Sequence, residues 1–528
     1  MTKESRQKSA KKPSVKPINI WALLSLIGLG LFFILLRWNS FNIPLIRDEG
    51  EYAYSAWLMG QNILPYANSF MQKPPMIIYS YLIASFVSPA AYWPFRLLAY
   101  IFAASATGLL GFVAYLEFGW WVGLAAMWIM TPMILLPGIQ QFTANTEQFM
   151  LLPLMGTLTF YMLRKGKAGV WHWLLAGVCA ALAILYKPTV LLILLFTFII
   201  WIVESWLDSK DIKEVIKRVL FGVLGGGVTS LLVLGYFLWQ DGGRSLIECV
   251  VNFNRYYDQF SSEAFFGYIK YFWSNWWILF LLAAWFLVSR PLRWWLYIGL
   301  LAIATLSSYG SLYGHYYIVI MPFWALIAAI AINMLAEQIS KKAAIKPQWL
   351  KLFLMLFVVV SISWPNKDLI FLSPEQFQAV KYGGGNPFSE SPLVARRVVE
   401  LTAAKDFVYV AGSEPQILYY CKRQSPTRFV IAYPLMMNTP LAPLYQEEIV
   451  AALTTRSPEV VVLANSNLSW LMNKNSPKLF VPYLNKLLMS KYNLVGGFAS
   501  DGNGGHWEEP LDNSRLPFCS LLLFKKRL

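Results

Sequence analysis

"IRDEGEYAYSAWLMG", residues 46–60, places Asp48, Glu49 and Glu51 close together, shortly after an apolar segment at 19–37. Carboxylates are costly near a bilayer, so the position of this stretch relative to a membrane decides what kind of chain carries it. Its surroundings are greasy. Of 528 residues, 57% are hydrophobic and only 14% are charged, against about 25% charged in an average soluble domain. Trp, Phe, Leu and Ile replace the missing charge, in blocks long enough to span a bilayer. The composition therefore gives a polytopic α-helical membrane protein.

Working outward, further apolar segments lie at 93–116, 118–137, 147–163, 172–187, 188–206, 219–239, 272–289, 294–310, 316–337 and 350–366. With 19–37 they make about eleven transmembrane helices. Only Lys187-Pro188 separates 172–187 from 188–206, and a proline kinks a span as well as ending one. Ten helices is the alternative count.

Orientation follows from the basic residues. The tail 1–18 carries Lys3, Arg6, Lys8, Lys11, Lys12 and Lys16. With that tail in the cytoplasm, the loops holding Arg164, Lys165 and Lys167, then Lys210, Lys213, Lys217 and Arg218, then Arg290 and Arg293, then Lys341, Lys342 and Lys346 fall on the same side. The net charge of +16 is thus spent on membrane orientation and calls for no nucleic-acid partner. The first segment lacks an A-x-A-like cleavage site and reads as a retained anchor. The domain 19–366 is then the membrane part, with a first external loop at 38–92. An odd number of spans places 367–528 on the extracytoplasmic, periplasmic side.

Within the loop, Tyr52, Ala53, Ala56, Trp57 and Met59 recur at helical spacing, which predicts a short interfacial helix. "MIIYSYLIASFV" (76–87) predicts a second helix in the headgroup region, and "QKPP" (72–75) holds Lys73 on a rigid turn. Two readings of the acids stand side by side. Asp48 as N-cap with Glu51 at N3 would close a capping box, leaving Glu49 unexplained. Alternatively, carboxylates meeting Lys73 and Arg96 at a membrane face suit a reaction on a lipid phosphate. One group would deprotonate an acceptor while Lys or Arg stabilises the leaving phosphate.

The stretch "RDEGEYAYSAWLMGQNILPYANSFMQKPP" resembles the first external loop of the ArnT/protein-O-mannosyltransferase-like membrane glycosyltransferases, which have the GT-C fold. The resemblance continues through "FRLLAY" (Arg96), "NTEQFMLLPL" (Glu147), "LYKPTVLL" (Lys187) and "HYYIVIMPFWAL" (His315, Pro322). It extends into "YGGGNPFSE" and "SEPQILYYCKRQSPTRF". It implies a bacterial inner-membrane enzyme that moves a sugar from a polyprenyl-phosphate donor to an envelope acceptor. Lipid A or other lipopolysaccharide, another glycan, a glycolipid or a protein all remain open as acceptors.

On that resemblance Asp48 is the general base of an inverting transfer, Glu49 assists it, and Lys73 contacts the donor phosphate. Arg96 is a second phosphate contact or else a partner of Asp48 or Glu49. Glu147 matches a second acidic position, although "NTE" stands there in place of an Asp. Its alternative is a helix-start carboxylate favoured by the dipole. Lys187, Tyr52 and His315 are cavity or acceptor residues, with snorkelling the other account of Lys187. In "VVNFNRYYDQF", Arg255 is a further phosphate ligand, or its tyrosines form an interfacial belt.

The three histidines, His172, His315 and His506, show no ligand spacing, so no metal or other cofactor is required. A divalent ion shared by Asp48, Glu49 and Glu147 is the alternative. Cys179, Cys249, Cys421 and Cys519 show no zinc or C-x-x-C pattern; Cys421 and Cys519 both lie in the polar C-terminal part, and the sequence leaves open whether they pair. Beyond the last span, "DFVYVAG" (406–412) and "EVVVLAN" (459–465) read as buried strands with a helix at 444–456 between them. That pattern predicts a small C-terminal α/β domain, with Gly383 to Gly385 as a turn. The competing class is a transporter or flippase for a lipid or lipid-linked solute. It calls for paired broken helices in two halves, and no internal repeat is visible. A structural scaffold leaves the charged loop unexplained.

Overall fold

The computed structural model describes residues 20–88, 91–139, 142–163, 169–257, 261–343, 345–382, 385–500 and 505–527. The basic tail, Arg164, Lys165, Lys167, Gly383 and Gly384 lie outside them. A helix stands over each of the eleven apolar segments. After α1 (Ile20–Leu35) come two helices of the first loop, α2 (Arg47–Gly60) and α3 (Met76–Ser85). The bundle continues with α4 (Trp93–Phe118), α5 (Trp120–Leu135), α6 (Thr146–Leu163) and α7 (Val170–Tyr186). Next are α8 (Leu191–Ser209), α9 (Ile212–Trp239) and the short α10 (Gly243–Ile247). It closes with α11 (Ser262–Ser289), α12 (Trp294–Ser307), α13 (Met321–Lys342) and α14 (Pro347–Ser363).

Among the described residues, seven helical stretches are long and apolar enough to cross a membrane by length and composition. The expected eleven is not reached on that criterion: α5, α7 and α12 are apolar but shorter, and α6, with 18 residues, is not among the seven. The doubtful pair is two helices. Pro188 disfavours helical geometry at Lys187, which is extended (φ −156°, ψ 116°), and a 3₁₀ turn at Pro188–Val190 restarts the chain as α8.

Burial orders the bundle. The stretch Gly314–Lys342, which contains α13, has 83% of its apolar window inside the protein, against 17% for α9. On α9, Val223, Leu231 and Leu232 are more than 60% exposed, as expected of side chains facing hydrocarbon. The opposite face of α9 meets α7 through small residues. A Cβ on Gly177 would overlap the Gly222 carbonyl, and one on Gly225 would overlap that of Leu174.

The C-terminal part begins with α15 (Pro374–Tyr382) and α16 (Ser391–Leu401), then β1 (Val408–Ala411), α17 (Pro415–Cys421) and α18 (Tyr433–Met436). It goes on with α19 (Ala442–Thr455), β2 (Val460–Ala464), α20 (Asn467–Trp470) and α21 (Phe480–Lys491). The last strands are β3 (Tyr492–Ser500), β4 (Gly505–Glu508) and β5 (Cys519–Lys526). The sheet order is β1-β2-β5-β3-β4, with β1 and β2 parallel and the rest antiparallel. The two expected strands and the helix between them are β1, β2 and α19. The antiparallel half was not anticipated, because register shifts at Leu494/Gly496 and Phe498/Ala499 break its alternation. Cys421 and Cys519 are free thiols, so the pairing considered for them is absent.

The loop helices differ from expectation in one respect. α2 does not lie on a surface: Glu49 to Ala56 are all buried. α3 buries Ile77, Ile78, Tyr81 and Ala84 and leaves Ile83 exposed. The C-terminal domain covers α2. Arg47 pairs at 2.6 Å with the fully buried Glu414, Ser425 N donates to Tyr54 Oη at 2.9 Å, and Phe70 N donates to Arg428 O at 2.6 Å. Gly50 allows the closest approach, since a Cβ there would stand 2.5 Å from Gln416 N. Gly50→Ala should therefore wedge α2 from α17 and destabilise the protein by about 1–3 kcal/mol. Thermal unfolding in detergent would read this, together with faster proteolysis of the C-terminal domain.

Candidate active site

The site is built on the start of α2. Ile46 is the N-cap, and Glu49 at N3 accepts from Ile46 N at 3.2 Å. The expected capping register, Asp48 with Glu51, is therefore displaced by two residues. Glu49 is fixed there by more than the cap. Its Oε1 accepts from Ala144 N at 2.8 Å and from Arg96 Nε at 3.0 Å, and its Oε2 accepts from Arg96 Nη2 at 2.7 Å. Arg96 gives its remaining donors to the carbonyls of Ser40, Ile43 and Pro44. All five of its N–H groups are thus engaged, and both side chains are fully buried. Of the two roles expected for Arg96, the pairing with an acid of the loop is the one present, and it engages both oxygens of Glu49, the residue expected beside the base. The pair braces the loop.

Asp48, one position before Glu49, is different. It is half-buried and has no hydrogen bond or ion pair to any described residue. Its charge acts on Glu51 and Lys73, and also on Lys187 and His315. Glu51, the N3 residue of the capping reading, is 3% exposed. Burial first, then the Asp48 charge, push its pKa well above the carboxylate range, with Lys73 opposing.

Beside these acids lies a cavity of about 410 Å³. The Pro-Pro turn supplies Gln72, Lys73 and Pro74, and the α7–α8 break supplies Lys187, Pro188 and Thr189. Asn254 and Tyr257 close one side, and Tyr309, Ser311 and Tyr316 another. Two cations line this space and no carboxylate does. The acids stand behind the wall. Glu147, at the start of α6, is buried in an ion pair with Lys187, accepts from Thr146 Oγ1 at 3.0 Å, and lies 3.8 Å from His315 Nε2. The Lys187 ammonium also sits 3.1 Å from the centre of the Tyr316 ring.

Lys73 is the less neutralised cation. Its Nζ reaches Tyr316 Oη at 3.5 Å, and its backbone carbonyl accepts from Tyr66 Oη at 2.8 Å. Burial works against its charge. Tyr257, Asp48, Glu147 and Glu51 outweigh that, so its pKa lies above the ordinary lysine value.

Of the residues singled out from the sequence, Lys73 and Lys187 reach the cavity wall. Asp48, Glu147 and His315 stand close behind it. Tyr52 is elsewhere, packed edge-on against Tyr81 with ring centres 5.5 Å apart. Arg255 is exposed and is not on the wall, although its neighbours Asn254 and Tyr257 are. Sequence reasoning missed Gln72, Asn254, Tyr257 and Tyr316. All four lie within quoted stretches, yet nothing in their spacing shows that three distant segments converge.

A second hollow, an apolar groove of about 440 Å³, runs between α11 and α12. Phe265, Ile298, Leu301, Ala302, Thr305 and Leu306 line it, and it meets the charged cavity at Tyr309. No group of three or more His, Cys, Asp or Glu side chains gathers at metal-ligand distances among the described residues. The arrangement is a cationic pocket at the end of an apolar groove, with an unpartnered carboxylate beside it.

Glu49→Ala should leave the Arg96 charge buried and unpaired, at a cost of about 3–5 kcal/mol. Asp48→Asn, which breaks no contact, should leave the melting temperature unchanged. Thermal unfolding of the two purified variants beside the wild type checks both.

No protein-family model and no curated protein matches the sequence. Solved structures do. ArnT from Cupriavidus metallidurans bound to undecaprenyl phosphate superposes with a TM-score of 0.60 at 12% identity, over 96% of this chain and 98% of that one. Its apo state gives 0.59, also at 12% identity, over 96% and 97%. The archaeal oligosaccharyltransferase AglB from Archaeoglobus fulgidus, in complex with an inhibitory peptide and a dolichol-phosphate, gives 0.52 at 12% identity, over 93% and 75%. At such identity the likeness is one of fold. That fold is the GT-C type, a helical membrane bundle with a small C-terminal α/β domain.

Proposed function

We propose that this GT-C-fold protein is an inverting membrane glycosyltransferase, moving a sugar from a polyprenyl-phosphate carrier to an envelope acceptor at the extracytoplasmic face. The observation that carries the reading is the cavity wall, with Lys73 and Lys187 present and no carboxylate. Such a wall suits an anion, and the adjoining apolar groove suits the tail of a lipid that carries one. The undecaprenyl phosphate held by the similar ArnT structure supports the same choice of ligand.

The chemistry then follows from the side chains. An acceptor hydroxyl, or another nucleophile bearing a proton, attacks the anomeric carbon from the face opposite the phosphate. The new glycosidic bond forms as the bond from that carbon to the phosphate oxygen breaks, which inverts the configuration. Asp48, with its lone pairs free, takes the acceptor proton. The phosphate leaves as a monoester carrying one more negative charge, and the two ammonium groups compensate it without a divalent ion. Glu147 holds Lys187 in place through their ion pair, and Tyr316 lies against both lysines.

The N-terminal tail is cytoplasmic in this reading, the C-terminal domain is extracytoplasmic, and the membrane is a bacterial inner membrane. The sugar is of hexose or pentose size. A transporter finds less support, because the charged groups gather at one end of the bundle. They occupy the loop before α3, the start of α6, the end of α7 and the turn before α13.

The test compares envelope glycans and glycolipids by mass spectrometry in a deletion strain complemented with wild type or Asp48→Asn. One species should lose a hexose- or pentose-sized mass and regain it only with the wild type. In vitro the variant should fall about 10²–10⁴-fold in rate. Full restoration by Asp48→Asn would overturn the general-base assignment.

A further inference from the structure

Glu51 is the charged group near the site that the mechanism above leaves without a task. It follows Asp48 by three residues, so both side chains emerge on the same side of α2, one turn apart. Its residue is 3% exposed, yet its Oε1 accepts no hydrogen bond among the described residues. A buried polar atom left in this state costs free energy that nothing in the fold returns, and such atoms call for a specific explanation. Helix capping does not supply one, since Glu49 performs it. An ion pair does not either: Glu51 has none among the described residues, and Arg96 and Lys187 are committed to Glu49 and Glu147.

The surroundings of Glu51 come from four parts of the chain. It is electrostatically coupled to Tyr66 and Lys73 of the first loop, to Tyr316 before α13, and to Tyr433 of the C-terminal domain. Lys73 and Tyr316 lie on the cavity wall. Tyr433 packs against Tyr257, another wall residue, with ring centres 5.9 Å apart. Glu51 stands behind the wall with a buried oxygen free to accept, and aromatic wall residues lie on the cavity side; an acceptor oxygen with ring faces nearby is chemistry that holds a sugar.

We infer that Glu51 is a specificity-determining residue that accepts a hydrogen bond from a hydroxyl of the donor sugar, in a subsite completed by Tyr433 of the C-terminal domain. The inference rests on the donor reading proposed above. It places the phosphate at Lys73 and Lys187, the acceptor at Asp48, and the sugar ring between them against Glu51. It also gives the C-terminal domain a part in choosing the sugar.

The test measures binding by the full-length protein in nanodiscs. The probes are undecaprenyl phosphate without sugar and undecaprenyl phosphate carrying glucose, galactose, mannose or arabinose. Wild type should bind at least one sugar-bearing carrier more tightly than the bare one. Glu51→Ala should weaken that carrier about tenfold, the loss of one good hydrogen bond, and leave the bare carrier unchanged. Glu51→Gln, which keeps an acceptor in place, should stay within about threefold of wild type for the same carrier. It should also melt no lower than wild type, whereas a structural role for the carboxylate would lower the melting temperature. Equal losses for bare and sugar-bearing carriers, no loss for either, or a wild type that prefers no sugar would overturn the inference while the donor reading stands. A wild type that binds no undecaprenyl phosphate would overturn the donor reading and this inference together.

Discussion

Everything at the charged end of the bundle hangs from the Glu49–Arg96 pair. Two fully buried ions cost several kcal/mol to desolvate, and only complete satisfaction makes the arrangement tolerable. Here it is complete. Arg96 uses all five donors, and Glu49 joins the backbone entering α2, the backbone before α6, and the Arg96 side chain of α4. The result is positional. Asp48 is covalently next to one end of the brace, and Glu147 follows three residues after Ala144 at another. Both carboxylates are thus positioned from one buried ion pair.

Charge is sorted across the cavity wall. Lys73 and Lys187 face the space, while Glu147 stands behind Lys187 and stays off the wall. This ordering lets two ammonium groups sit near one another without a ligand. It also makes them unequal. Lys187 is held by a carboxylate and a ring face, whereas Lys73 has a hydroxyl at 3.5 Å and charge attraction from its surroundings. Lys73 keeps more freedom to follow an anion.

Much of the bundle was legible in the sequence because the bilayer imposes a simple code. Apolar runs of about 20 residues mark helices, and Pro188 marks a break. The strands β1 and β2 were equally plain as short β-branched runs. What stayed hidden depends on distance through space. Asp48, Glu49 and Glu51 are three acids in four positions, and nothing local shows that one braces, one is free and one is buried without a partner. The roles diverge because Arg96, forty-seven residues on, selects Glu49, and because the C-terminal domain covers α2. Tyr257 and Tyr316 were hidden for the same reason, and β3 because its bulges erase the period of two.

Tyr309 belongs to both hollows, the charged one and the apolar one between α11 and α12. A ligand with a long tail can therefore arrive sideways, without leaving the lipid phase. Its search for the protein becomes a two-dimensional one, governed by surface density in the leaflet instead of bulk concentration. In the donor reading proposed above, the loaded carrier and the spent one share the same tail and the same doorway. On that reading the spent carrier competes with the next loaded one for the same groove.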